Sequence, residues 1–500
     1  MSSTPEKELQ ATDSAPDVEK HSDVEFKDHA PQDGPGYPTD PAFEKKLVRK
    51  LDYMIVPTLM GIYLFAYLDR GNIGNARLQG LPQDLLGGDA SGQLFAWLSA
   101  AFYFAYVIFQ YPTTIYAKKF KQHYWIAAAC FGWGLVSLLQ ATAFNFGSIF
   151  MCRFTIGFFE SMFGPNIAAY FTYFYTREEI GRRIGIWWAT ASVAGAFGGL
   201  LAYGVQHIHY KFSAWRFLFI IEGVPAMLIG AAIPWILPDR PEESKKLTEA
   251  ERALAIARMK RGGTPEVART LSWAHVRMGL YDWKIYCAGI TYFGTNCALS
   301  ALGSFLPTII NQMGYSAANA QLLTVPPYAL GGISLCVMSF VSDRYYNRGI
   351  IMIAFTAIGG TGYLILCVAP TANVAARYAA TFLVTMGTYT CIGIAIAWYP
   401  FNMGSESKRA MGIPIWQSIG QCGSILGSYI YPNTDAPRFI RGFAVTCGLF
   451  YFSTVVAIVL SVYIYYENAR RDRVYGKVDP NAEVDTSELA DYAPNFRYVP

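Results

Sequence analysis

YLFAYLDRGNIGNAR, Tyr63 to Arg77, is an apolar run that sets an acid beside a base, Asp69–Arg70, before it ends. That pair is costly if the run crosses a membrane and costs little if it does not. The composition decides between the two. Of 500 residues, 53% are hydrophobic and only 15% are charged, against about 25% charged in a soluble domain. Apolar stretches recur from Met54 to Ile464 and are continuous rather than alternating. Every backbone polar group in a lipid layer must be satisfied within the protein, and continuous runs select helices over barrel strands. The expectation is an all-α membrane protein.

Twelve segments are long enough to span, near 54–76, 93–115, 124–142, 148–170, 183–206, 217–237, 283–307, 319–341, 350–369, 376–400, 411–432 and 442–465. Each approaches the ~20 residues that a hydrocarbon layer requires. The polar stretch 239–282 divides six from six. The expected division is a disordered tail over 1–44, a six-helix bundle over 45–238, a linker over 239–282, a second bundle over 283–466 and a tail over 467–500. In the linker, Thr248 with Glu251 three residues on reads as a capping box that opens a surface helix.

The net charge of +4 says less than its distribution. Lys45, Lys46, Arg49 and Lys50 precede the first span, Lys118, Lys119 and Lys121 follow the second, and Arg177, Arg182 and Arg183 follow the fourth. Arg344, Arg348, Lys408, Arg409 and Arg470–Arg471 continue the pattern on the same side, while the opposite connections are poor in bases. Positive charge marks the cytosolic side, so both termini are expected in the cytosol. No apolar stretch follows Met1, so no signal peptide is read there. The nine cysteines show no disulfide or metal spacing. The chain has no G-x-x-x-x-G-K-[ST] loop and no hydrolase signature, which excludes an ATP motor of that kind and argues against an enzyme.

Charges inside the spans are the candidates for function. Asp69–Arg70 lies in the first span, and Arg153 and Glu160 lie in the fourth. At ~1.5 Å per residue Glu160 falls near the midplane, and Asp69 about 10 Å below the far surface. Those depths allow both carboxyls to share one water-accessible cavity. Arg153 and Glu160, seven apart, lie two turns along one helical face. Arg70 offers a planar fork suited to a carboxylate. A desolvated carboxyl is suited to taking up and releasing a proton. The six histidines lie in tails, loops or span ends, so the carboxyls must carry any proton. Asn296, Asn402, Gln417 and Gln421 are polar positions of the second half that can line a cavity or join helices. Tyr67, Tyr103, Tyr106, Trp398 and Tyr399 supply aromatic surface. The alternative readings are a solvated helix-end pair for Asp69–Arg70 and a structural tie for Arg153.

YLDRGNIGNARLQGL (Tyr67–Leu81), RFTIGFFESMFGP (Arg153–Pro165), WRFLFIIEGVPA (Trp215–Ala226) and LPDRPEESKKLTEAER (Leu237–Arg252) together resemble the major facilitator superfamily. The likeness is nearest to its anion:cation symporter family, in the fungal allantoate/nicotinate permease group. ESKRAMGIPIWQSIGQCGSILGSYIYP (Glu406–Pro432), DAPRFIRGF (Asp435–Phe443) and PNFRY (Pro494–Tyr498) fit the same group. The resemblance implies twelve transmembrane helices in two pseudo-symmetric six-helix bundles that rock about a central site. It implies proton coupling by Asp69 and Glu160, anion binding by Arg70, and substrate contact by Tyr67 and Tyr106. Lys118 and Lys119 stand where the superfamily's loop motif has Asp-Arg, whereas Asp343–Arg344 keeps that gating pair in the second half. Gly199 is followed by Leu200 rather than the proline of the antiporter motif, which leans towards symport.

The expected function is therefore proton-coupled import of a small organic anion across the plasma membrane. Carboxylate vitamins or nitrogen sources such as nicotinate, pantothenate or allantoate are the expected cargo. The proton gradient is the only energy source, membrane lipid is the only other partner, no nucleic acid is bound, and the unit is a monomer. A proton-driven exporter and a receptor that binds without transport are the rival readings.

Overall fold

Every regular element among the described residues is helical. The computed structural model describes residues 41–117, 119–208, 213–261, 272–477 and 488–500. Lys118 and most of the tail read over 1–44 lie outside them. Within that tail, residues from Pro41 onward already belong to α1, Pro41–Leu78.

The first half continues with α2 (Leu81–Leu85), α3 (Gln93–Ala117), α4 (Gln122–Gln140), α5 (Phe146–Ser161), α6 (Gly164–Thr172), α7 (Arg177–Gln206) and α8 (Ala214–Ile236). Two helices occupy the linker, α9 (Glu249–Arg261) and α10 (Trp273–Leu280). The second half holds α11 (Trp283–Asn311), α12 (Ala317–Leu322), α13 (Val325–Tyr345), α14 (Arg348–Val368), α15 (Val374–Phe401), α16 (Glu406–Tyr429) and α17 (Ile440–Tyr475).

The packing repeats between halves. In the first, α4 packs on α8, α3 on α5 and α1 on α7; in the second, α14 packs on α17, α13 on α15 and α11 on α16. The halves meet where α1 crosses α11, α3 meets α16 and α7 meets α13. Each pairing in the first half has a counterpart at the corresponding place of the second. Small residues permit the crossings. A Cβ added at Gly74 of α1 would come 2.8 Å from the Ser304 carbonyl oxygen of α11, so the two backbones touch there.

Nine helices among the described residues are both long and apolar enough to cross a membrane. The spans expected at 124–142, 148–170 and 411–432 are the ones that miss, each for a local reason. Helix α4 has 19 residues and opens with Gln122 and His123. Helix α16 turns a polar, glycine-rich face inward, and its Ser424 donates to the Asn296 carbonyl of α11 at 3.4 Å. The fourth span is broken into α5 and α6. Pro165 has no N–H to return to the Ser161 carbonyl. The freed carbonyls take side-chain donors instead: Thr113 reaches Ser161 O at 3.1 Å, while Asn166 and Trp125 reach Met162 O at 2.7 and 3.0 Å.

The basic ends of the helices are tied by ion pairs. Thr248 and Glu251 form the expected capping box, with Thr248 N 2.9 Å from Glu251 Oε2 and Glu251 N 3.3 Å from Thr248 Oγ1. Helix α9 is then fastened to α1 and α7 through Lys50–Glu251 at 2.6 Å and Arg258 with Glu44 and Glu179 at 2.7 and 2.6 Å.

Residues 488–500 return across the second half. Asp491, fully buried, accepts from Lys284 Nζ of α11 at 2.7 Å and Lys408 Nζ of α16 at 2.5 Å. Arg471 of α17 donates to the Asp491, Ala493 and Phe496 carbonyls. Trp398 and Asn402 of α15 bond Val499, and the Arg348 N–H of α14 bonds Pro500 O at 2.7 Å. Gly404 is required beneath this strap: its φ is +53°, and a Cβ there would strike the Asp491 backbone nitrogen. Burial pushes the Asp491 carboxyl up, but the Lys284 and Lys408 ammoniums outweigh it and hold it below its ordinary value near 3.8.

Two outcomes follow for purified protein followed by thermal unfolding. Asp491→Ala leaves two buried ammoniums sharing Asp282 alone and destabilises by about 3–5 kcal/mol. Because the folded carboxyl is the stronger acid, its contribution is complete above the ordinary Asp value of 3.8 and fades as pH falls below it. The Asp491→Ala difference from wild type therefore shrinks in strong acid.

Candidate functional site

Consecutive helical residues diverge by about 100°, and this separates Asp69 from Arg70. Tyr63, Tyr67, Arg70 and Gly74 follow one face of α1: Tyr67 and Gly74 meet Tyr389 and Ser304 of the second half, Tyr63 meets Trp187 and Trp188 of α7, and Arg70 meets α3 and α5. Asp69 follows another, towards α4 and α5, inside the first half.

Arg70 is the centre of the inter-half face. Its Nε donates to Glu160 Oε2 at 2.5 Å, and its Nη2 contacts the same oxygen. The guanidinium lies 4.9 Å from the Phe102 ring centroid and 5.4 Å from that of Tyr106. Glu160 is fully buried, whereas the Arg70 side chain keeps 15% of its exposure. The cation is thus the accessible member of the pair. Its field also reaches Tyr292 of α11. Asn296, a turn along α11, bonds the Tyr292 carbonyl at 3.1 Å, and Trp416 meets the Tyr292 ring edge-on at 4.6 Å. Further along α1, the Tyr67 hydroxyl lies 3.2 Å from that of Tyr389. Tyr67, Asn72, Asn75 and Tyr328 border a cavity of about 20 Å³, space for one water.

Asp69 is held differently. Ser137 and Gln140 of α4 donate to its Oδ1 at 3.0 and 3.2 Å. Arg153 Nη1 donates to the Asp69 carbonyl at 3.0 Å and stands 3.9 Å from Oδ1. Neither Asp69 nor Glu160 reaches water: they are 1% and 0% exposed. The shared water-accessible cavity expected of them is not present in this conformation.

The other expected site residues divide. Arg153 and Glu160, on one face of α5, both reach α1. Tyr67, Tyr106 and Asn296 stand near the Arg70 centre. Gln417 is half-buried on α16. Trp398 Nε1 and Asn402 Nδ2 donate to the Val499 carbonyl of the strap at 2.9 and 3.1 Å, and the Trp398 ring stacks on Tyr399, which meets Trp416. Arg344 is exposed near the end of α13, and the Asp343 side chain lies outside the described set.

Tyr292, Tyr389 and Glu222 were not singled out from sequence. Glu222 is an acid within an apolar span, so the rule that selected Glu160 also selects it. Among the described residues no cluster of His, Cys, Asp or Glu is arranged to hold a metal.

Comparison with known proteins places this geometry in a family. Residues 59–428 match the Major Facilitator Superfamily. The uncharacterized transporter C1002.16c of Schizosaccharomyces pombe is 32% identical over 91% of this chain and 90% of its own. The MFS transporter prlL of a fungal species is 32% identical over 87% and 89%. The major facilitator-type transporter hxnP of Emericella nidulans is 29% identical over 97% and 99%. Among solved structures, a D-xylose–proton symporter has the same fold at a TM-score of 0.61 with 15% identity, over 83% of this chain and 96% of that one. A bacterial homologue of the lysosomal transporter Spinster aligns at 0.58 with 13% identity, over 85% and 98%. The chain belongs to the major facilitator superfamily and is a multi-pass membrane transporter, not an enzyme.

Proposed function

We propose that this transporter is a proton-coupled importer of a small organic anion, of the anion:cation symporter type. The observation that carries the reading is the Arg70–Glu160 pair beside the seam between halves, with the guanidinium the exposed partner. An arriving carboxylate competes with Glu160 for the same fork. Once displaced, Glu160 is a buried carboxylate without a cation, and taking up a proton removes that cost. Anion and proton then load together with little net charge moved. Tyr106 and Phe102 flank the guanidinium, and Tyr67, Asn296 and Gln417 complete the proposed contact set, so a flat carboxylate such as nicotinate suits it. Pantothenate and allantoate present the same carboxylate.

The halves rock about this centre. The basic ends face the cytosol, the membrane is the plasma membrane, and the working unit is a monomer. Arg153 positions Asp69, and Arg344 with Asp343 closes the second half's inner end. Export of a metabolite would use the same pair in reverse.

Labelled nicotinate, pantothenate and allantoate offered to cells lacking their own permeases test the reading. Inward accumulation that collapses with a protonophore supports it; extrusion from preloaded cells, or binding without flux, overturns it. Arg70→Ala removes a charge-assisted bond of about 1.5–3 kcal/mol and weakens apparent affinity at least about tenfold. Arg70→Lys recovers little, because an ammonium lacks the planar fork. Glu160→Gln keeps the shape but holds no proton, so its uptake no longer follows the pH gradient.

A further inference from the structure

Deep within the spans of the first half lie three carboxylic acids, Asp69, Glu160 and Glu222, each at 1% exposure or less, with the guanidiniums of Arg153, buried, and Arg70, part-buried. Were all five ionised, three negative charges would face two positive ones, leaving one in excess. A buried acid with no compensating cation takes up a proton instead. The three acids are not equally supplied. Glu160 has Arg70. Asp69 has Ser137, Gln140 and the nearby Arg153. Glu222, on α8 and 1% exposed, has no hydrogen-bond partner at either carboxyl oxygen.

Arg153 supplies the second observation. Its Nε is buried without a partner, and its Nη1 donates to a main-chain carbonyl rather than to a carboxylate. Helix α8, which carries Glu222, packs on α1, which carries Asp69, and on α4, which also packs on α5, the helix of Arg153. Of the other described charged groups in the membrane half of α1, Arg70 is turned to Glu160 and Arg77 to Asn433. Helix α4 contributes Ser137 and Gln140, both turned to Asp69. From Ile184 to Gln206, α7 holds no charged residue. On α8 itself, Arg216 bonds the Ala141 and Ala143 carbonyls. A cation with an unused N–H, on α5, and an acid with two unused oxygens, on α8, thus lie on helices that both pack against α4.

We propose that Glu222 is a further proton-binding site of the transport cycle, protonated in this conformation, and that Arg153 pairs with it when the proton leaves. The proposal rests on the proton-coupled reading above. The O–H proton of Glu222 passes to water, and Arg153 turns its free N–H from the Asp69 side towards the new carboxylate. Arg153 is then the element with two arrangements, biased by the proton.

Infrared spectroscopy of the purified full-length protein tests this without any substrate. The wild type is expected to show a protonated-carboxyl C=O stretch at neutral pH that titrates away in base and is missing from E222Q. Arg153→Gln removes the replacement cation, so the band persists to higher pH. A band that stays unchanged in E222Q overturns the proposal. Should E222Q fail to fold, Glu222→Asp keeps the acid one methylene back and is expected to shift the band; an unshifted band is equally fatal. In cells, E222Q loses gradient-driven accumulation of whichever of the three acids the wild type concentrates, and undiminished accumulation counts against it. If the wild type shows no protonophore-sensitive uptake of any of them, the transport reading fails, and the infrared result still decides whether Glu222 holds a proton.

Discussion

A guanidinium cannot shed its charge, so Arg70 must be answered by a negative charge wherever it is buried. Glu160 answers it here, from a helix that belongs to the same half. That constraint organises the centre of the molecule. The acid is fully buried, and the base keeps part of its exposure.

The seam itself depends on small side chains. Gly74 lets α1 touch α11, and Gly157 lets α5 rest on the Phe102 backbone of α3. The second contact carries Glu160 towards Arg70, since Gly157 and Glu160 are one turn apart on α5. The Pro165 break below it ends α5 directly after Glu160 and Ser161. Three donors from α3, α4 and α6 close the carbonyls that the break exposes. The position of the acid is thus fixed by a close approach on one side and a satisfied helix end on the other.

Much of this was legible in the chain. Apolar length gave the helical membrane class, and the rarity of intramembrane charge pointed to Asp69, Arg70, Arg153 and Glu160. What sequence spacing could not assign was direction. Asp69 and Arg70 are adjacent in the chain but answer to different neighbours, because one helical step turns a side chain through most of a right angle and more. Depth alone put Asp69 and Glu160 together; only the packing of α4 shows that Ser137 and Gln140 enclose Asp69. Trp398 and Asn402 were read towards a central cavity because nothing local announces that a segment about a hundred residues later will lie on them. Glu222 carried the same signal as Glu160 and was passed over within an otherwise apolar stretch. The span at 411–432 is read from sequence despite the polar face of α16, whose Ser424 is turned to the Asn296 carbonyl of α11.

The strap over residues 488–500 has a consequence for biogenesis. It gathers the ends of α11, α14, α15, α16 and α17 through Lys284, Arg348, Asn402, Lys408 and Arg471. None of these fastenings can form before residues 488–500 have been synthesised. The second bundle must therefore wait in the bilayer, inserted but unlaced, with two lysines short of a counter-ion. A nascent chain halted before Asp491 would display that unfinished state to the quality-control machinery of the membrane.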